Sequence, residues 1–158
     1  MRISVFVAAS ALFLSLFTAC SKDKDQTPVP AQTPSEILAS TAWETTSAKN
    51  AQGAQVALTD DNVKNFVGFA YFKASTKFTM YNLDNSPKMK GDWWLSPDGK
   101  TRFIIARNDA GTELFRREVE ITVLARTEFT YRIYPNAANK AVYFDIVHTP
   151  TTHVEPGI

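Results

Sequence analysis

Residues 90–108 read KGDWWLSPDGKTRFIIARN, and the rest of the chain follows their pattern. Lys90 to Ser96 is a short run carrying two tryptophans. It stops at Pro97-Asp98-Gly99, and Arg102 to Asn108 returns through Phe103, Ile104 and Ile105. Asp-Gly between two β-prone runs specifies a hairpin, because glycine accepts the positive φ that a tight corner requires. Asp109-Ala110-Gly111 then closes the second run with the same turn chemistry.

The rhythm extends both ways. Upstream lie Gly68 to Lys73 and Lys77 to Asn82, where Phe78 and Met80 alternate against Thr79 and Tyr81. Downstream come Thr112 to Ala125, with Val119, Ile121 and Val123 expected on one face, and Glu128 to Tyr134, with Phe129, Tyr131 and Ile133 on one face. Ala141 to Thr149 ends the series and a strand from Trp43 begins it. Thr59 to Val67 departs from the pattern: Val63, Phe66 and Val67 have helical spacing behind caps at Thr59 or Asp60. Strands at short intervals with hairpin connections form an antiparallel meander, and a meander hides its two edges best by closing on itself. The expected fold is therefore all-β, an antiparallel up-and-down β-barrel with a short N-terminal helix. A β-sandwich is the other architecture this pattern allows. Three Trp, five Tyr and eleven Phe suit a barrel filled or part-filled by side chains.

Before the first strand, Thr33-Pro34-Ser35-Glu36 has the form of a capping box, with Pro at the first helical position. Ser21 to Pro34 holds Pro28, Pro30 and Pro34 among charged and polar residues. Such a stretch buries too little to offset its ordering entropy and reads as an extended tether. Met1 to Ala19 has Arg2, then an apolar run from Ile3 to Phe17, then Thr18-Ala19 before Cys20, the one cysteine in the sequence. The run is shorter than the roughly 20 residues that span a bilayer and has the flanks of a signal peptide. A lone thiol in an exported protein is best explained by lipidation. The expected organisation is a lipoprotein signal peptide over residues 1–19, a lipidated Cys20 with a tether to residue 34, and one domain over residues 35–158. Ser21 after the cysteine resembles the signal for outer-membrane sorting, so the expected location is the cell envelope, lipid-anchored to the outer membrane and facing the periplasm.

A short helix followed by a Trp on the first strand and a meander resembles the lipocalin or calycin group, with Thr41 where a Gly usually stands two residues before that Trp. The chain also resembles a family of bacterial lipoproteins, the domain of unknown function 4822 family. The runs that carry the resemblance are Val67–Phe72, Asn82–Lys88, Gly91–Trp93, Asp98–Arg102, Glu128–Pro135 and Asp145–Pro150. The resemblance implies a lipocalin-like barrel and supplies no activity.

The chemistry legible in the residues is sparse. The whole chain carries a formal charge of +1, and without Arg2 the balance is even, so no basic excess attracts nucleic acid. No Gly-x-Ser-x-Gly elbow or Gly-rich phosphate loop is present, and an enzyme is not expected. Asp145, His148, His153 and Glu155 form the best metal-ligand grouping, but Asp145 and His148 are three apart on a strand and face opposite ways. No metal or other cofactor is expected. Arg116, Glu118 and Glu120 share a face that reads as a solvated surface. Arg102, Arg107 and Arg132 could meet an anionic ligand if turned inward; the simpler placement is on the outer face over aromatics.

Two functional readings stand. The first is a membrane-anchored, monomeric barrel that binds a small apolar or amphipathic molecule. Its expected site is Tyr131, Phe129, Phe144 and His148 on two adjacent strands, with Trp93 contributing another ring. The second is a protein-interaction or inhibitor module with a filled core. Interior volume separates them.

Overall fold

The computed structural model describes residues 31–157; the signal segment, Cys20 and the tether up to residue 30 lie outside the described residues. Helix α1 (Pro34–Leu38) opens on the expected capping box. The Thr33 hydroxyl accepts from Glu36 N–H, and the Glu36 carboxylate accepts from Thr33 N–H at 2.7 Å. Nine strands follow: β1 (Ala42–Asn50), β2 (Gln55–Val56), β3 (Phe69–Phe72), β4 (Lys77–Tyr81), β5 (Pro87–Leu95), β6 (Thr101–Arg107), β7 (Glu113–Ala125), β8 (Glu128–Ile133) and β9 (Phe144–Thr151). Every pairing is antiparallel. β3 to β9 follow one another in order, and β1 pairs with both β3 and β9, which closes the ring. Eight strands make the barrel, and β2 is a two-residue addition to the end of β1. The sandwich is thereby excluded, because a sandwich leaves the two end strands unpaired with each other.

Closure fixes an inside and two ends. At one end α1 packs near the β5–β6 and β7–β8 turns. Trp43 is fully buried beneath it, and its indole N–H donates to Leu38 O at 2.8 Å. Above Trp43 the interior fills with rings: Phe72 meets Trp93 at 5.3 Å and Phe129 at 6.1 Å, and Trp43 meets Phe129 edge-on at 5.8 Å. Trp93 N–H donates to Lys73 O at 3.1 Å, so both buried indoles are satisfied. Gly91 lets β5 lie close against β6: a Cβ there would stand 1.8 Å from Ile105 O.

Four slips in register bend the wall, one each in β1, β5 and two in β7. One of them corrects the sequence expectation. Ile121 faces Tyr131 while Val123 faces Thr130, leaving Thr122 as an extra residue. A bulge of one residue reverses the in–out alternation. Val119 and Ile121 are buried as expected, but Val123 is 39% exposed. The 59–67 segment also differs: it forms a single 3₁₀ turn, Lys64–Phe66, in place of a longer helix, and Asp60 bonds to Asn62 N–H.

The chain after Pro150 is pinned. β9 continues to Thr151, and residues 153–156 cross the outer face of β3 and β4. The His153 ring stacks on Phe69 at 3.8 Å and shares a hydrogen bond with the Tyr71 hydroxyl. Glu155 meets Lys73 and Thr79, and Tyr81 donates to Pro156 O at 2.9 Å. This strap explains why all four residues of β3 are buried, on both faces of the wall.

Candidate functional site

The end of the barrel opposite α1 is crossed by residues 57–67. Fully buried Val63 joins the core, and Phe66 meets Tyr131 edge-on at 6.4 Å. Beneath Phe66 lies a chamber with about 20 Å³ of free space, room for one water-sized group. Arg102, Arg117, Lys88, Tyr131 and His148 line it together with apolar groups and the neutral polar Thr45, Asn65 and Tyr81, and among the described residues no Asp or Glu does.

Arg102 corrects the sequence reading: it points inward. Arg102 and Ile104 share the inner face of β6, and the guanidinium lies 4.5 Å from the Tyr131 ring centre and 5.5 Å from those of Phe72 and Phe129. It is 2% exposed, and its Nε has no hydrogen-bond partner. Among the described residues no ion pair includes it. Burial opposes its charge, although the nearby Tyr131 hydroxyl works the other way; a guanidinium nevertheless stays protonated in a protein. Burying an unpaired charge costs several kcal/mol, whereas a desolvated cation–π contact returns about 2 kcal/mol. The ring cage offsets part of that cost and supplies no acceptor for Nε.

The other two cations reach the chamber by different routes. Lys88 is the extra residue where the β4–β5 register slips, since the partner moves from Met89 at Met80 to Pro87 at Tyr81. Its ammonium donates to Val67 O at 2.6 Å, tying β5 to the crossing segment. Burial, then Arg117, holds its pKa below the ordinary lysine range. Arg117 lies opposite Ile104 on the inner face of β7 and spreads over the Phe66 ring at 5.1 Å.

Tyr131 and His148 come together as the sequence indicated. Their rings stack at 5.2 Å, and Phe129 lies 5.3 Å from His148. His148 Nδ1 donates to Phe129 O at 3.2 Å. Burial, then the Arg102 charge, pushes the His148 pKa down to about 3, so the ring is neutral at physiological pH. Burial raises the Tyr131 pKa, which leaves the phenol protonated. The other two expected ring contributors are elsewhere: Trp93 lies toward the α1 end, against Phe72, and Phe144 is a half-buried residue facing Ile133 at the start of β9.

Arg107 and Arg132 stay outside. Arg107 pairs with Asp92, and Arg132 grips Asp145 through two hydrogen bonds of 2.8 and 3.0 Å. Asp145 is thus outside, His148 inside and His153 on the strap; among the described residues no three His, Cys, Asp or Glu side chains converge on a metal position. Beside the chamber, an open groove of about 600 Å³ runs along the rim past Val119, Ile133, Tyr134 and Lys140, and Phe66 and Arg117 border both spaces.

Residues 35–158 match the family described as a domain of unknown function, DUF4822. The chain belongs to that family. Here the DUF4822 domain is a lipocalin-like barrel, as the closed strand pairing shows. Among solved structures it is similar to a lipocalin-like protein from Bacteroides uniformis ATCC 8492, at 14% identity and a TM-score of 0.49, over 73% of this chain and 99% of that one. It is also similar to a biogenic amine-binding protein, at 13% identity and a TM-score of 0.39, over 73% of this chain and 65% of that one. No curated protein matches the chain.

Proposed function

We propose that this DUF4822 protein is a lipoprotein, anchored through Cys20 in the outer membrane and facing the periplasm, that binds a small amphipathic molecule at the mouth of its barrel. One observation carries the binding reading. The polar chamber under residues 57–67 shares Phe66 and Arg117 with a neighbouring groove large enough for a small organic molecule, and convergent polar groups beside apolar walls are the usual make-up of a ligand site. The ring-filled interior supports a ligand held at the rim over one along the barrel axis.

The test is native mass spectrometry of the unlipidated Cys20→Ser protein taken directly from the soluble fraction. A reproducible adduct of a few hundred daltons is expected, displaced when Phe66 is changed to Asp. A bare mass together with no response to added amphiphiles would reject small-molecule binding. That result would favour the second reading, a protein-interaction module, which the ring-filled core supports. Anchoring has its own test: Cys20→Ser should shift the protein from membranes to the soluble periplasmic fraction, because two or more acyl chains hold far more firmly than one. A mutant that stayed with the membrane would sink the lipoprotein assignment.

A further inference from the structure

We propose that the chamber is an anion receptor: a carboxylate, or a comparable singly charged acidic group of the ligand, fills the place of the missing counter-ion beside Arg102, flanked by Lys88 and Arg117. This rests on the reading that the mouth binds a small amphipathic molecule, and it names that molecule's head group.

Arg102 Nε is buried without an acceptor, and buried donors in native proteins nearly always have one. The guanidinium presents a planar fork that matches the two oxygens of a carboxylate. Among the described residues no carboxylate pairs with its charge, although the chain holds 16 acidic residues and uses several on the outer wall, as in Arg132–Asp145 and Arg107–Asp92. The arrangement around it is one-sided: three cations and no carboxylate among the lining residues. A cationic head group would meet three like charges and no opposite one, and a neutral one would leave Arg102 uncompensated. Protonated Tyr131 adds a further hydroxyl at the same place. The free space beside Arg102 admits about one water-sized group, such as one oxygen of the carboxylate, and the groove that Phe66 and Arg117 also border would take the remainder of the ligand.

The experiment is calorimetric titration of the Cys20→Ser protein with octanoate, 1-octanol and acetate. Octanoate should bind about tenfold or more tightly than octanol, as a charge-assisted pair would require. Arg102→Gln should remove that advantage and leave octanol binding where it was. Acetate binding alone, competing with nothing longer, would uphold the receptor and identify a free small anion as its ligand, against the amphiphile reading. If octanol matches octanoate, or Arg102→Gln leaves octanoate affinity unchanged, the anion assignment is overturned while binding at the mouth stands. If none of the three binds, both are overturned. Should Arg102→Gln not fold, Lys88→Gln decides: a several-fold loss of octanoate affinity is expected, and an unchanged affinity overturns the proposal.

Discussion

The two ends of the barrel are built on opposite rules. At the α1 end the buried indoles and the helix cap are satisfied: Trp43 N–H on Leu38 O, Trp93 N–H on Lys73 O, Thr33 and Glu36 capping each other. The rings there bury apolar surface at no unpaired polar cost. At the mouth, a charged Arg102 and a neutral His148 are buried side by side, and Lys88 is tied to a backbone carbonyl. One end gains stability; the other keeps polar groups in places where they lower it. Among the described residues the one buried side-chain donor left without an acceptor, Arg102 Nε, lies among the groups of the mouth, and that is the observation on which the proposed site rests.

Substitutions can break or sharpen this contrast. Trp43→Ala should have the largest effect, a loss of about 3–5 kcal/mol in a denaturant titration, from the removed ring and the cavity left under α1. A loss under about 1 kcal/mol would mean that the α1 end is not the stabilising one. Next comes a pH effect at the mouth. The folded-state pKa of His148 is depressed to about 3 from an ordinary 6.5, so below pH 6.5 the unfolded chain binds a proton that the folded chain refuses. Stability from this group is fully present above pH 6.5 and is lost as pH falls toward 3. Between pH 6.5 and 5 the loss should be about 1–2 kcal/mol. His148→Phe should flatten the curve in that window, and an unaltered slope would place the titration elsewhere. Trp93→Phe keeps a ring and deletes one hydrogen bond, and should cost about 1 kcal/mol. Arg102→Met should have the smallest effect, within about 1 kcal/mol of the wild type or slightly stabilising, because replacing a poorly compensated buried charge by an apolar side chain relieves its desolvation. A loss of several kcal/mol would make Arg102 a structural member of the ring cage and erase the contrast between the ends.

Much of the α1 end was legible residue by residue. The capping box at Thr33 and Glu36, the corner at Asp98-Gly99 and the shared inner faces of β8 and β9 all follow from local preference or strict alternation, and these act over a few residues. The common inner face of Phe129, Tyr131 and His148 follows from alternation, because β8 and β9 keep period two without a slip between them; Phe129 packs against His148 and does not itself line the chamber. Lys88 and Val123 escaped the same reading because each adjoins or occupies a bulge, and nothing in a strand's own composition marks where its partner will skip a residue. Arg117 carried a signal: it shares parity with Val119 and Ile121, the buried face of β7.

Arg102 shows where the sequence by itself stops. In TRFIIAR both faces hold apolar residues, Ile104 and Ala106 on one, Phe103 and Ile105 on the other. Alternation groups Arg102 with Ile104 but does not say which group turns inward. The amino-acid sequence determined the strand order, the turns, the capped helix and the even charge balance. Closure of β1 onto β9 decided which face became the interior, carried a guanidinium into it, and brought Lys88, Arg117 and His148 around it from three other strands. That decision is tertiary because each of those neighbours is remote in the chain, and only the pairing of every strand with the next sets the distances at which their side chains meet.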